Sequence, residues 1–311
     1  YIEALFQAGQ LQEARDVLAL ARQQGLEGND VDALGKKIGV ISPPPQANRA
    51  RKGKSRKGKL PPESEFMAMV NCFNSGDHAG AEQMAHRMSR DYPDSWAGWK
   101  MLGVTLLHRG DNERAVEPLL RAATLAPNDA ESQNNLGIAL FHAGRIDDAV
   151  ISYRHALQVD PNYAQGHCNL GAAFQAQGKL AIAEASYRRA LEINPAYLKA
   201  LNNLGSVLLD LKRFEDAETC YRQALHYKIA DADSYRNLGA ALNAAGRSEE
   251  AEADVRRAIE LNPLDAASYV SLGAILITRG EPAEAELAFL RALEISPDLA
   301  EANDDLGTLL L

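Results

Sequence analysis

AESQNNLGIALFHAGRIDDAVISYRHALQVDPNY, residues 130–163, is the stretch on which the fold turns. Small, apolar and proline residues punctuate it at Leu136-Gly137, Leu140, Gly144, Ala149, Tyr153, Ala156 and Pro161. Thirty-four residues further on the same chemistry returns as Leu170-Gly171, Phe174, Gly178, Ala183, Tyr187, Ala190 and Pro195. A fixed period of this length marks a helical solenoid. Within one unit, Asn135 to Gly144 and Ile146 to Gln158 each place apolar residues at helical spacing, which predicts two helices. Gly144 lies between them, where left-handed backbone ends the first helix. Pro161 cannot continue the second and turns the chain into the next unit. Gly137 and Ala149 are small enough for two antiparallel helices to approach closely, with Tyr153 and Leu140 filling the space on either side. Neither helix buries its apolar stripe alone, so stacked neighbours complete the core.

Outward from this stretch the period holds in both directions. Units begin at Trp96, Ala130, Ala164, Leu198, Ala232 and Ala266, each with Leu-Gly at its seventh and eighth positions. This places six units of 34 residues over 96–299. In the unit at 198–231, Lys212 stands at the usual turn glycine and Ile229 at the usual proline, so turns of a different angle are expected there. Residues 62–95 form a degenerate unit with Gly76, Ala81, Met88 and Pro93 in phase and Ala68-Met69 in place of Leu-Gly. Residues 300–311 start a further first helix and stop, so the chain reads as cut from something longer. Residues 1–35 read as degenerate helices of the same kind. Residues 36–61 form a linker whose Pro, Gly and Lys content supports no packed core.

Charge is unevenly spread. The net charge is −9, yet residues 36–59 carry nine Lys or Arg and no acid, leaving the rest of the chain at −18. An acidic array with a basic strap follows. The strap lacks interleaved aromatics and helical amphipathicity, so no specific nucleic-acid partner is indicated, and contact with the acidic array or plain solubility is its expected role. Cys72, Cys168 and Cys220 are far apart and form no CxxC pair, which points to a reducing, cytoplasmic compartment and away from disulfides or zinc. No apolar run is long enough to span a membrane. Nucleotide loops, paired hydrolase carboxylates and serine elbows are missing, so no cofactor and no catalysis are expected. His108 and His142 share the thirteenth position of adjacent units, but two imidazoles are too few for a metal site. Cys168 would need a base, and the adjacent His167 points elsewhere on a helix. Trp99 is expected in the core; Trp96 is expected against the degenerate unit or as an exposed anchor.

The spacing of Leu-Gly, Gly, Ala, Tyr, Ala and Pro resembles the tetratricopeptide repeat family, and the resemblance covers most of the chain. It implies an all-α, right-handed superhelical solenoid of antiparallel helix hairpins, with the first helices on a concave inner wall. On that wall the sixth position of successive units reads Met101, Asn135, Asn169, Asn203, Asn237, Ser271 and Asp305. The four asparagines resemble the ladder in the repeat arm of O-linked N-acetylglucosamine transferases, where it grips extended substrate protein; Met101, Ser271 and Asp305 depart from it. An amide both donates and accepts, so Asn135, Asn169, Asn203 and Asn237 suit peptide backbone of any sequence. Asparagine is a poor helix-interior residue, an odd decoration four times in phase. The segment from Leu60 to Gly103 also resembles the start of bacterial repeat proteins that continue into a glycosyltransferase or sulfotransferase domain. Three functions are thus expected: a scaffold for a protein or peptide partner, the substrate-recruiting arm of a larger transferase, or a homo-oligomer assembled through exposed end repeats.

Overall fold

The computed structural model describes residues 60–309. The helices expected over 1–35 and the linker up to residue 59 lie outside the described residues. Fifteen helices and no strand occur among those described. They are α1 (Glu63–Asn74), α2 (His78–Asp91), α3 (Trp96–His108), α4 (Asn112–Leu125), α5 (Ala130–His142), α6 (Ile146–Val159), α7 (Ala164–Ala176) and α8 (Leu180–Ile193). α9 (Leu198–Asp210), α10 (Phe214–Tyr227), α11 (Ala232–Ala244), α12 (Ser248–Leu261), α13 (Ala266–Arg279), α14 (Pro282–Ile295) and α15 (Ala300–Leu309) complete the series. No described helix is long and apolar enough to cross a membrane.

Each odd-numbered helix packs on the even-numbered one that follows, and each hairpin packs on the next. The first helices also touch one another from hairpin to hairpin, whereas the second helices make no comparable mutual contact among the described residues. First helices therefore line the inner wall of the stack and second helices its outer wall.

Turn chemistry explains the hairpins. α5 ends where Gly144 adopts φ +77°, which lets its N–H reach the Phe141 carbonyl at 3.0 Å and the Arg145 N–H reach that of Leu140 at 2.8 Å. Lys212 adopts the same left-handed backbone, φ +57°, and the turn keeps the same bonds: Lys212 N–H to the Leu209 carbonyl and Arg213 N–H to that of Leu208, both 2.8 Å. Lysine thus adopts the left-handed backbone that glycine supplies in the other described turns of this kind, and its backbone bears the strain. At the second turn the Lys228 N–H bonds the Ala224 carbonyl at 2.9 Å, as in the other units, ahead of an exposed Ile229.

In four of the hairpins the inner contact is ring on glycine, while in the hairpin at 96–129 Leu119 lies over Gly103. A Cβ added to Gly137 would lie 2.5 Å from Tyr153, to Gly171 2.8 Å from Tyr187, to Gly205 2.5 Å from Tyr221, and to Gly273 2.4 Å from Phe289. All four rings are buried. Gly137 is thus the floor for a ring; Ala149, fully buried, lies on the other side of the interface. In the hairpin at 232–265 the ring is replaced by Val255, and a Cβ added to Gly239 would also lie 2.9 Å from the Ala251 carbonyl oxygen.

Between hairpins, charge pairs repeat with the period. Arg213 reaches back to Glu184 at 2.7 Å and Arg247 to Glu218 at 2.7 Å; Arg279 meets Glu252, and Arg109 meets Glu82, in the same way. Glu184, Glu218 and Glu252 each also take an arginine from their own helix: Arg188, Arg222 and Arg256. Asp129, Asp231 and Asp265 cap the next first helix by accepting the backbone N–H and hydroxyl of Ser132, Ser234 and Ser268. Burial acts to raise the Asp129 carboxyl, but the Ser132 and Lys100 bonds outweigh it and hold it below the usual carboxylate range.

Candidate peptide-binding channel

A first helix packed on both neighbours and on its own second helix keeps one stripe open to solvent. On α5 that stripe is Glu131, Asn135, Ile138 and His142, with the side chains between them buried except for part of Phe141. α9 repeats it as Lys199, Asn203, Ser206 and Asp210, and α11 as Asp233, Asn237, Ala240 and Ala244. The spacing of four, three and four residues is one helix face. Since first helices line the inner wall, this face is the channel. Its middle row is small or apolar throughout: Val104, Ile138, Ala172, Ser206, Ala240 and Ala274.

The four asparagines occupy the same register but are not alike. Asn135 and Asn237 are half-buried and form no side-chain hydrogen bond among the described residues. Asn203 is half-buried, its amide turned to the Cys168 sulfur at 4.0 Å. Asn169 is buried, 5% exposed, and its NH2 donates to Asn134 Oδ1 at 2.9 Å. Asn134 is itself fully buried, with its own NH2 lacking a protein partner. The sixth-position amide thus lies against the fifth-position residue of the preceding unit. Where that residue is Asn134 the amide is committed; where it is Lys100, before Asn135, or Asn202, before Asn237, it is not. Lys100 is drawn off to Asp129 and Glu131, at 3.0 and 2.8 Å, and Asn202 accepts from the Ser234 hydroxyl at 3.0 Å. Sequence reasoning missed Asn134; the Asn134-Asn135 pair in sequence is its only signal.

The remaining expected residues find ordinary places. Cys168 is buried, and burial pushes its thiol up to about 11 despite the Lys199 ammonium, so it stays protonated and unreactive near neutral pH. His167 bonds the Pro161 carbonyl at 3.0 Å. His108 stacks on His78 at 4.4 Å, against Phe73, while His142 lies edge-on to Phe141; no ring contact joins His108 to His142. No group of three or more candidate metal ligands occurs among the described residues. Trp99 packs on the core and its indole N–H donates to the Pro93 carbonyl at 3.0 Å. Trp96 is 38% exposed, with the Lys100 ammonium 5.2 Å from its ring centre.

Comparisons with known proteins agree with this architecture. A family model described as TPR repeat matches residues 139–178, and two described as Tetratricopeptide repeat match 162–230 with 196–263, and 73–130 with 236–300. No curated protein matches the chain by sequence. Among solved structures it is similar to the APC/C hetero-tetramer Cut9-Hcn1, with a TM-score of 0.67 and 18% identity over 91% of this chain and 52% of that one. The chain therefore spans about half the length of that relative. A tetratricopeptide repeat protein from Parabacteroides merdae gives 0.66 and 17%, over 80% of this chain and 98% of that one. PilF of Pseudomonas aeruginosa gives 0.58 and 20%, over 68% and 97%. At these identities the likeness is one of fold.

Proposed function

Since the chain belongs to the tetratricopeptide repeat family, we propose that it is a protein-interaction scaffold whose inner channel holds an extended segment of another protein through Asn135, Asn203 and Asn237, with the buried Asn169 bracing the wall they stand on. The observation that carries this is the open stripe of the inner helices, centred on an asparagine in unit after unit over an uncharged floor. A peptide laid along such a wall meets a donor and an acceptor once per hairpin, and small side chains between them leave room for its own. The roles divide by geometry. Asn135 and Asn237 bond the foreign backbone, Asn203 does so on releasing the Cys168 sulfur, and Asn169 ties α7 to α5.

Peptides selected from a displayed random library against the full chain test this. The double variant Asn135→Ala, Asn237→Ala loses two bonds of about 1 kcal/mol each, and the selected peptides should bind it about 30-fold more weakly with Tm unchanged. Asn169→Ala should instead lower stability by about 1–3 kcal/mol by unpairing Asn134. Equal affinity for the double variant and the parent, at equal Tm, ends the ladder reading. The narrower reading, that the channel recruits substrate for a larger glycosyltransferase or sulfotransferase, rests on the ladder's resemblance. It is decided by whether the gene continues past Leu311 into such a domain.

A further inference from the structure

One hairpin differs from the others on the outer face. At 232–265 Val255 stands where the neighbours carry Tyr221 and Phe289, and the position before it, Pro118, Ser152, Ser186, Cys220 and Ala288 in the other units, is Asp254. Here a cleft of about 520 Å³ opens between α10 and α12 over α11. Leu225, Leu238 and Tyr235 supply its apolar surface, and Asp254, Glu250 and Arg222 its charges.

The charges in and around this cleft do not balance. Arg222 is taken by Glu218 at 2.7 Å, and Arg247 by Glu218 at 2.7 Å and Glu250 at 2.6 Å. Arg257, beside Tyr235, is held by Glu260 at 2.6 Å. Asp254 is half-buried and has neither an ion pair nor a hydrogen bond among the described residues. Three carboxylates, Glu218, Glu250 and Asp254, thus face two guanidiniums, Arg222 and Arg247, and the uncompensated charge sits at the cleft. We propose that this cleft binds the lysine or arginine side chain of a partner protein, its aliphatic stem against Leu225 and Leu238 and its cationic head on Asp254. A long basic side chain has the required form, an apolar stem with a charged tip. The site faces outward through second helices, so it operates independently of the inner channel. Burial holds the Asp254 carboxyl above the usual carboxylate range, opposed by Arg222 and reinforced by Glu250 and Glu218. A bound cation would relieve that cost.

The test uses the full chain, followed by the backbone amide signals of Leu225 and Asp254. N-acetylarginine amide should produce saturable shifts in the millimolar range, and the uncharged N-acetylcitrulline amide should bind at least about tenfold more weakly. The isosteric Asp254→Asn should lower the arginine affinity by about tenfold or more, and so should Asp254→Ser, which copies Ser152 and Ser186 at the same position of two other units. In the parent chain the affinity should fall as pH drops through the raised Asp254 titration. Equal binding of the citrulline probe, undiminished binding by Asp254→Asn, or no saturable shift with the arginine probe overturns the proposal. Because Asn135 and Asn237 play no part, failure here leaves the channel reading standing, and failure there leaves this one.

Discussion

Among the described residues, Lys212 and Asp254 sit in a conformation and in surroundings that their chemistry disfavours. Lys212 holds φ +57°, where a side chain crowds the following carbonyl and costs about 1–2 kcal/mol. Every other described first helix that ends in this turn has glycine there. Lys212→Gly should therefore raise stability by about 1 kcal/mol, net of the greater chain freedom of glycine when unfolded, as read from urea unfolding. A loss of stability would mean that the lysine side chain contributes something the backbone geometry does not reveal. Asp254 is the second. Its folded titration is raised, so the ionised form is disfavoured in the native state and its destabilisation appears as pH rises from the unfolded carboxylate value. Asp254→Ser should raise Tm at pH 7, and this gain should vanish near pH 3, where folded and unfolded carboxyls are both protonated. A gain of equal size at both pH values would assign the effect to packing.

At the scale of the helix pair, the recurring unit is a flat ring on a bare patch of backbone. Gly205 lies under Tyr221, and a methyl group there would sit 2.5 Å from two ring atoms. The ring is buried between helices and has nowhere to swing, so Gly205→Ala should cost about 1–3 kcal/mol by overpacking. Thermal unfolding followed by circular dichroism measures it; a loss under 0.5 kcal/mol, below that range, would show that α9 and α10 separate freely. The sequence made these hairpins legible because Leu-Gly, the turn glycine and the closing proline mark the ends and the close contact of each helix. It did not reveal that the ring rather than a second small residue lies on Gly137, because periodicity assigns residues to a face without saying which neighbour each touches.

For the whole array, contacts run only between neighbours, so one unit can be removed without losing the phase. Deleting residues 164–197 joins α6 to α9 in register and leaves Arg213 facing Val150 instead of Glu184. A folded helical chain with a smaller urea m-value should result, since m follows the surface exposed on unfolding. Collapse of the helical signal would mean that long-range coupling, not neighbour stacking, holds the array. The period, the hairpins and the single register of Asn135, Asn169, Asn203 and Asn237 were all contained in the amino-acid order, because each follows from spacing along the chain, whereas the inner position of the first helices rests on the contacts between hairpins. Which of those amides remains open was settled only in three dimensions. It depends on the side chain 35 residues earlier, Asn134 for Asn169 and Cys168 for Asn203, brought alongside by stacking. The outer cleft is of the same kind: an unpaired Asp254 gains its meaning from Arg222 and Leu225 on one helix and Leu238 on another, a juxtaposition that packing makes and sequence distance conceals.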